Sequence, residues 1–131
     1  MSAGLDTSVV LRLLVGEPAG QAEAAWRLIA ESASPVLVHD LVVTEAYFGL
    51  VHHYRVPASD AVRALRQLLS DRRLQATGTA LRVLTAIDRP GQRLEPGLVD
   101  RLLLANYAAD GARTVTFDKA LAKLGDAQLL R

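Results

Sequence analysis

The chain has 131 residues, half of them hydrophobic and 22% charged, which describes one globular domain of ordinary size, residues 1–131, with enough apolar matter for a core. Fifteen Lys and Arg stand against fourteen Asp and Glu, so net charge argues neither for nor against a nucleic-acid partner. There is no cysteine, which excludes disulfides, a thiol nucleophile and zinc fingers. No signal-peptide pattern or membrane-length apolar run occurs, so the expectation is a soluble, cytoplasmic protein with no membrane partner.

Along the chain, short apolar runs alternate with helical periods. Residues 3–6 read as a buried strand feeding a helix from Thr7 or Ser8 to about Val15. Glu17-Pro18 opens a second helix in which Ala22, Ala25, Trp26 and Ile29 share a face. "SPVLVHD" gives a strand at Val36–Val38, with Asp40 as N-cap candidate for the helix "LVVTEAYFGLVHHY". After Pro57, "ASDAVRALRQLLSD" is an amphipathic helix with Ala61, Leu65, Leu68 and Leu69 inward. "LQA" (74–76) reads as a short strand and "TGTALRVLTAID" as a helix, followed by a Pro/Gly loop over 89–97. Gly97 leads into the helix "LVDRLLLANYAADG", which Gly111 stops. "TVTF" (114–117) reads as a buried strand, Asp118 begins a short helix, and "AQLL" (127–130) is a last edge strand.

Strands separated by helices imply an α/β fold, a mostly parallel sheet with helices on both faces. In such sheets ligands bind beyond the carboxyl ends of the strands. Asp6 and Asp118 each end a predicted strand. Glu45 shares a helix stripe with Leu41, Phe48, Gly49 and His52, and Asp100 with Leu103, Leu104 and Tyr107. Such apolar stripes are expected to bury. A lone Asp ahead of a helix is an ordinary N-cap, but carboxylates on burying stripes are costly unless paired or metal-bound. Four acids gathered without counter-charge would protonate, whereas a hard divalent cation, Mg²⁺ or Mn²⁺, accepts oxygen-only ligands. Such a site supports phosphodiester hydrolysis, and it requires Asp6 to lie within metal-bridging distance of the other three.

The ordered set "LDTSVVLRLL", "VVTEAYFGL", "GLVDRLLLANYAADG" and "TVTFDKALAKL" resembles the PIN-domain ribonucleases, specifically the VapC-like toxins of bacterial type II toxin–antitoxin pairs. The resemblance runs from Leu5 to about Leu124. It implies a three-layer α/β/α domain with a central sheet of four to five short strands. It also implies an Mg²⁺- or Mn²⁺-dependent endoribonuclease with one or two ions on Asp6, Glu45, Asp100 and Asp118. Thr7, Ser8 and Thr116 would orient those carboxylates. Relatives are commonly homodimers held inactive by a small antitoxin protein. Asp118 has no second acid near it until Asp126, so a second ion would be weakly held or bound only with the RNA substrate.

Arg12, Arg93, Arg101 and Lys119 lie near these acids or the adjoining loop and are candidates for RNA phosphate contacts. His52 reads as a rim histidine and His39 as a satisfied core or edge residue, while Trp26, Tyr47, Phe48 and Tyr107 read as core or dimer surface. Aspartyl-phosphate chemistry fits less well, because a dehalogenase-type site needs an acid two residues after Asp6 and Ser8 stands there. A PIN-like RNA-processing nuclease that is not a toxin, or an inert RNA- or protein-binding module, are the alternative functions.

Overall fold

The computed structural model describes residues 2–90 and 93–131; Gly91 and Gln92 of the predicted loop lie outside the described residues. Helix α1 (Thr7–Val15) ends in Gly16, whose φ of 80° lets its N–H reach back to the Arg12 carbonyl at 2.9 Å. Helix α2 (Ala19–Glu31) packs on α1 and buries Ala22, Ala25 and Ile29, with Trp26 half-buried. Strand β1 (Val36–Val38) leads into α3 (Asp40–Phe48), which continues as a wide π turn over Gly49–His53. Then come α4 (Ala58–Leu69), β2 (Leu74–Ala76), α5 (Ala80–Ile87) and α6 (Leu98–Ala109). The chain closes with β3 (Thr114–Thr116), α7 (Lys119–Ala122) and β4 (Ala127–Leu129).

Backbone hydrogen bonds fix how the strands lie. The N–H of Val36 and the carbonyl of Val38 turn toward residues 73–77, pairing β1 with β2 in parallel register, Val36 opposite Leu74. The N–H and carbonyl of Leu37 turn the other way, to Ala3 and Leu5 at 2.8 and 2.9 Å. Since successive strand residues offer their polar groups to opposite sides, β1 is paired on one side with β2 and on the other, through a single parallel bridge at Gly4, with residues 3–5. A second parallel pair joins β3 to β4, Thr114 opposite Ala127. All strand pairings are thus parallel, as the α/β/α reading requires, but they form two groups rather than one continuous ladder.

The core lies between these strands and their helices. Val36, Val38, Val43, Leu65, Leu84 and Leu98 have no exposed surface, and burying each such side chain contributes about 1.5–3 kcal/mol. Helix α4 matches its amphipathic period, with Ala61, Val62, Leu65, Leu68 and Leu69 inward. The expected burial of "TVTF" does not hold. Thr114 is buried, while Val115 is 58% and Phe117 76% exposed. A three-residue strand with a single ladder partner has little to cover its second face.

Candidate active site

Because residues 3–5, β1 and β2 run parallel, their carboxyl ends emerge along one edge, presenting Asp6, His39-Asp40 and the turn 77–79 together. Asp6 is in extended conformation, and its Oδ1 accepts the Thr7 N–H at 2.7 Å. Asp6 is therefore itself the cap of α1, as a lone Asp ahead of a helix ordinarily is. The strand ends in the geometry that swings a carboxylate over the first orphan N–H. The Ser8 hydroxyl donates to Asp6 Oδ2 at 3.3 Å, whereas the Thr7 hydroxyl is buried with no hydrogen-bond partner among the described residues.

Asp118 repeats the arrangement at α7, accepting the N–H groups of Ala120 and Leu121 at 2.8 and 3.3 Å. The Thr116 hydroxyl accepts the Asp118 backbone N–H at 2.9 Å, so it holds the turn rather than the carboxylate. Glu45 is exposed on α3, and Asp100 is half-buried in the first turn of α6. Their stripes do not bury, contrary to expectation. Leu41 is 67%, Phe48 44%, Leu103 44% and Tyr107 46% exposed. Each helix packs a different face inward, Val43, Ala46 and Tyr47 in α3 and Leu98 and Leu102 in α6, which leaves the acid-bearing stripe facing solvent.

Among the described residues, no three Asp, Glu, His or Cys side chains stand close enough to share an ion. The requirement that Asp6 lie within metal-bridging distance of Glu45, Asp100 and Asp118 together is thus not met among the described residues. Asp118 stands on the β3–β4 pair, and no ladder bond joins that pair to residues 3–5 among the described residues. The donor chemistry nonetheless suits a hard cation. None of the four acids is in an ion pair among the described residues, where Asp71 and Asp88 take the bridging arginines. Mg²⁺ characteristically keeps several waters and takes one or two carboxylates together with substrate phosphates, so a closed protein cage is not required.

The cationic candidates divide by partner. Arg12 donates to the Gln21 side chain at 2.6 Å, and Arg101 donates to the Pro96 carbonyl at 2.8 Å. Arg93 and Lys119 are exposed.

The most connected polar group at this edge is one the sequence reading misplaced. Asp40 does not cap its own helix. His39 does that, its Nδ1 accepting the Leu41 N–H at 3.0 Å, so His39 is an exposed cap and not a core residue. The Asp40 carboxylate instead crosses to the start of α5, where Oδ2 accepts the Thr79 N–H at 3.0 Å and Oδ1 the Ala80 N–H at 3.1 Å. Asn106 of α6 donates to the same Oδ2 at 3.0 Å and also contacts the Thr79 hydroxyl at 3.1 Å. These groups border a cleft of about 440 Å³ lined by His39, Asp40, Leu41, Thr77, Gly78 and Asn106. The one sequence signal near this network is an amide, Asn106, inside the apolar run "LLLANYAA"; that Thr79 leaves its helix start uncapped by its own side chain is seen only in the structure.

The family model for the PIN domain matches residues 4–127, a span that holds all four acids. The chain belongs to the PIN-domain family. A search of curated proteins finds no match. PIN domains are generally nucleases acting on RNA or other nucleic acid, and these nucleases generally use divalent metal ions. Among the described residues, no helix of this PIN domain is long and apolar enough to cross a membrane.

Proposed function

We propose that this PIN domain is an Mg²⁺- or Mn²⁺-dependent endoribonuclease, the toxin of a toxin–antitoxin pair, working in the cytoplasm as a homodimer and restrained by a small antitoxin protein. The observation that carries the nuclease reading is family membership across residues 4–127, a span holding Asp6, Glu45, Asp100 and Asp118, the acids the resemblance implies as ligands, none of them ion-paired among the described residues.

Asp6, Glu45, Asp100 and Asp118 would together hold the ion. A divalent cation there supplies Lewis acidity and a water of lowered pKa for attack on a phosphodiester. The chain's own residues set the frame. Ser8 steadies one oxygen of Asp6, and Thr116 fixes the turn that presents Asp118. Arg93 and Lys119, both exposed, are the candidates to meet phosphate.

Structured RNA incubated with the purified chain and Mn²⁺ or Mg²⁺ tests the assignment. Cleavage is expected with metal, to stop with chelator, and to fall about 100-fold or more in Asp6→Asn, since losing even a partner that only orients a ligand costs about 10–100-fold. Equal cleavage by the variant, or none by either protein, would count against it. The dispersed acids favour one second reading, an inert RNA- or protein-binding module, which predicts RNA binding without metal-dependent cleavage. The toxin role stands or falls separately, on growth arrest when the chain is expressed and relief by a small neighbouring reading frame.

A further inference from the structure

We propose that Asp40 is a positioning residue for the nuclease site: its bond to Asn106 holds the helix that carries Asp100 against the helix that carries Glu45. The inference rests on the metal-nuclease reading given above. Asp40 is the first residue of α3, five before Glu45, and Asn106 is six after Asp100 on α6. At 1.5 Å per residue the bond therefore lies about 7.5 Å along one helix and about 9 Å along the other from the two acids.

Both Asp40 oxygens are committed to protein donors, Oδ1 to Ala80 and Oδ2 to Thr79 and Asn106. This carboxylate is a brace rather than a further ligand. It stabilises the start of α5, where the positive end of the helix dipole favours negative charge. A second, independent observation shows that the chain keeps room for it. A Cβ at Gly78 would stand 2.5 Å from Oδ2 and 2.7 Å from the carboxyl carbon of Asp40. Asp40, Thr79 and Asn106 thus join the starts of α3 and α5 to the last turns of α6. Partners that orient ligating side chains in this way change metal affinity about 10–100-fold when removed.

The chain has no native cysteine, so spin labels on Phe48→Cys and Leu103→Cys, both sites exposed, report the α3–α6 distance within one protomer when the labelled chain is diluted with an excess of unlabelled chain. Pulsed electron resonance on this background is combined with Mn²⁺ titration calorimetry of the unlabelled variants. Asp40→Ala and Asn106→Ala should each broaden the distance distribution and weaken Mn²⁺ binding about tenfold or more. Asp40→Asn, which keeps one acceptor oxygen, should fall between. Arg66→Ala, which removes the unrelated contact to Asp88, should change stability while leaving distance and Mn²⁺ affinity alone. Should Asp40→Ala fail to fold, Asn106→Ala leaves the α5 cap in place and carries the same test. An unchanged distance in the variants overturns the brace, as does lowered stability with unaltered Mn²⁺ affinity. Absence of Mn²⁺ binding by the parent chain overturns the metal reading instead, while the distances still judge the brace.

Discussion

At Gly78 a single missing methyl group decides which contacts the α5 start can make. Its backbone angles are ones any residue can adopt; the restriction is the Asp40 carboxylate occupying the space a side chain would need. Gly78→Ala should therefore destabilise the fold by about 1–3 kcal/mol through overpacking. The same change made on Asp40→Ala should cost far less, because the colliding group is gone. Urea unfolding of the four members of that cycle measures the coupling, and strict additivity would show that the two residues do not meet. Asp40 also shows why residue-level reading of sequence is hardest where caps are shared. "VHD" before a helix announces a local N-cap, and that rule found the right place and the wrong residue. His39 satisfies the local N–H, which releases Asp40 for a helix 39 residues away. No local pattern encodes that choice. Asp6 and Asp118 were legible because strand end and cap coincide there.

Helices α4 and α5 are tied by a different device. Arg66, and to a smaller extent Arg63, bond the Asp88 carboxylate, which is only 7% exposed, and hold its pKa below the usual carboxylate value against the opposing effect of burial. Asp71, bonded by the guanidinium and backbone N–H of Arg73, is lowered to about 2. A carboxylate whose pKa is lower folded than unfolded adds stability above its unfolded pKa and loses it as pH falls toward its folded one. For Asp71 that window runs from the ordinary 3.8 down to about 2, and for Asp88 it likewise begins at 3.8. The drop in urea midpoint between pH 5.5 and pH 3 should be smaller in Arg66→Ala than in the parent. Parallel drops would mean that the α4–α5 pairing contributes nothing to acid sensitivity. Element positions themselves were largely legible, since α4 and α5 obey a 3.6-residue apolar period. The π turn over Gly49–His53 was not, because the sequence "FGLVHHY" continues a helical pattern without a break. A side chain at Gly49 would press to 3.3 Å of Leu11, so the close approach of α1 accompanies the widened turn.

On the scale of the molecule, the acid-bearing stripes of α3 and α6 carry Leu41, Phe48, Leu103 and Tyr107, each more than 40% exposed. Large apolar side chains grouped on one surface mark an interaction site more often than chance exposure. The proposed homodimer draws on this surface. Leu103→Glu should raise its dissociation constant about 30-fold, the effect of losing roughly 2 kcal/mol at an interface anchor. Sedimentation velocity across a concentration series reads this directly, and a parent chain that stays monomeric at high micromolar concentration would sink the dimer. The helix period revealed these stripes in the sequence, but not their direction. Apolar content alone suggested an inward face, while the alternative faces of the same helices, led by Val43 and Leu98, fill the core better.

The division of the strands into two parallel groups bears on how tightly any ion could be held. Asp6 belongs to the group centred on β1, Asp118 to the pair β3–β4, and no ladder bond locks the two edges together among the described residues. An ion bridging both would be bound in proportion to the fraction of molecules in which the edges meet, its apparent dissociation constant being the intrinsic one divided by that fraction. RNA that touched both groups would raise the fraction and so raise metal affinity, and by reciprocity metal would tighten RNA binding by the same factor. A PIN domain arranged in this way would bind Mn²⁺ measurably by itself, hold it more tightly with RNA in place, and reach full nuclease competence only with its substrate.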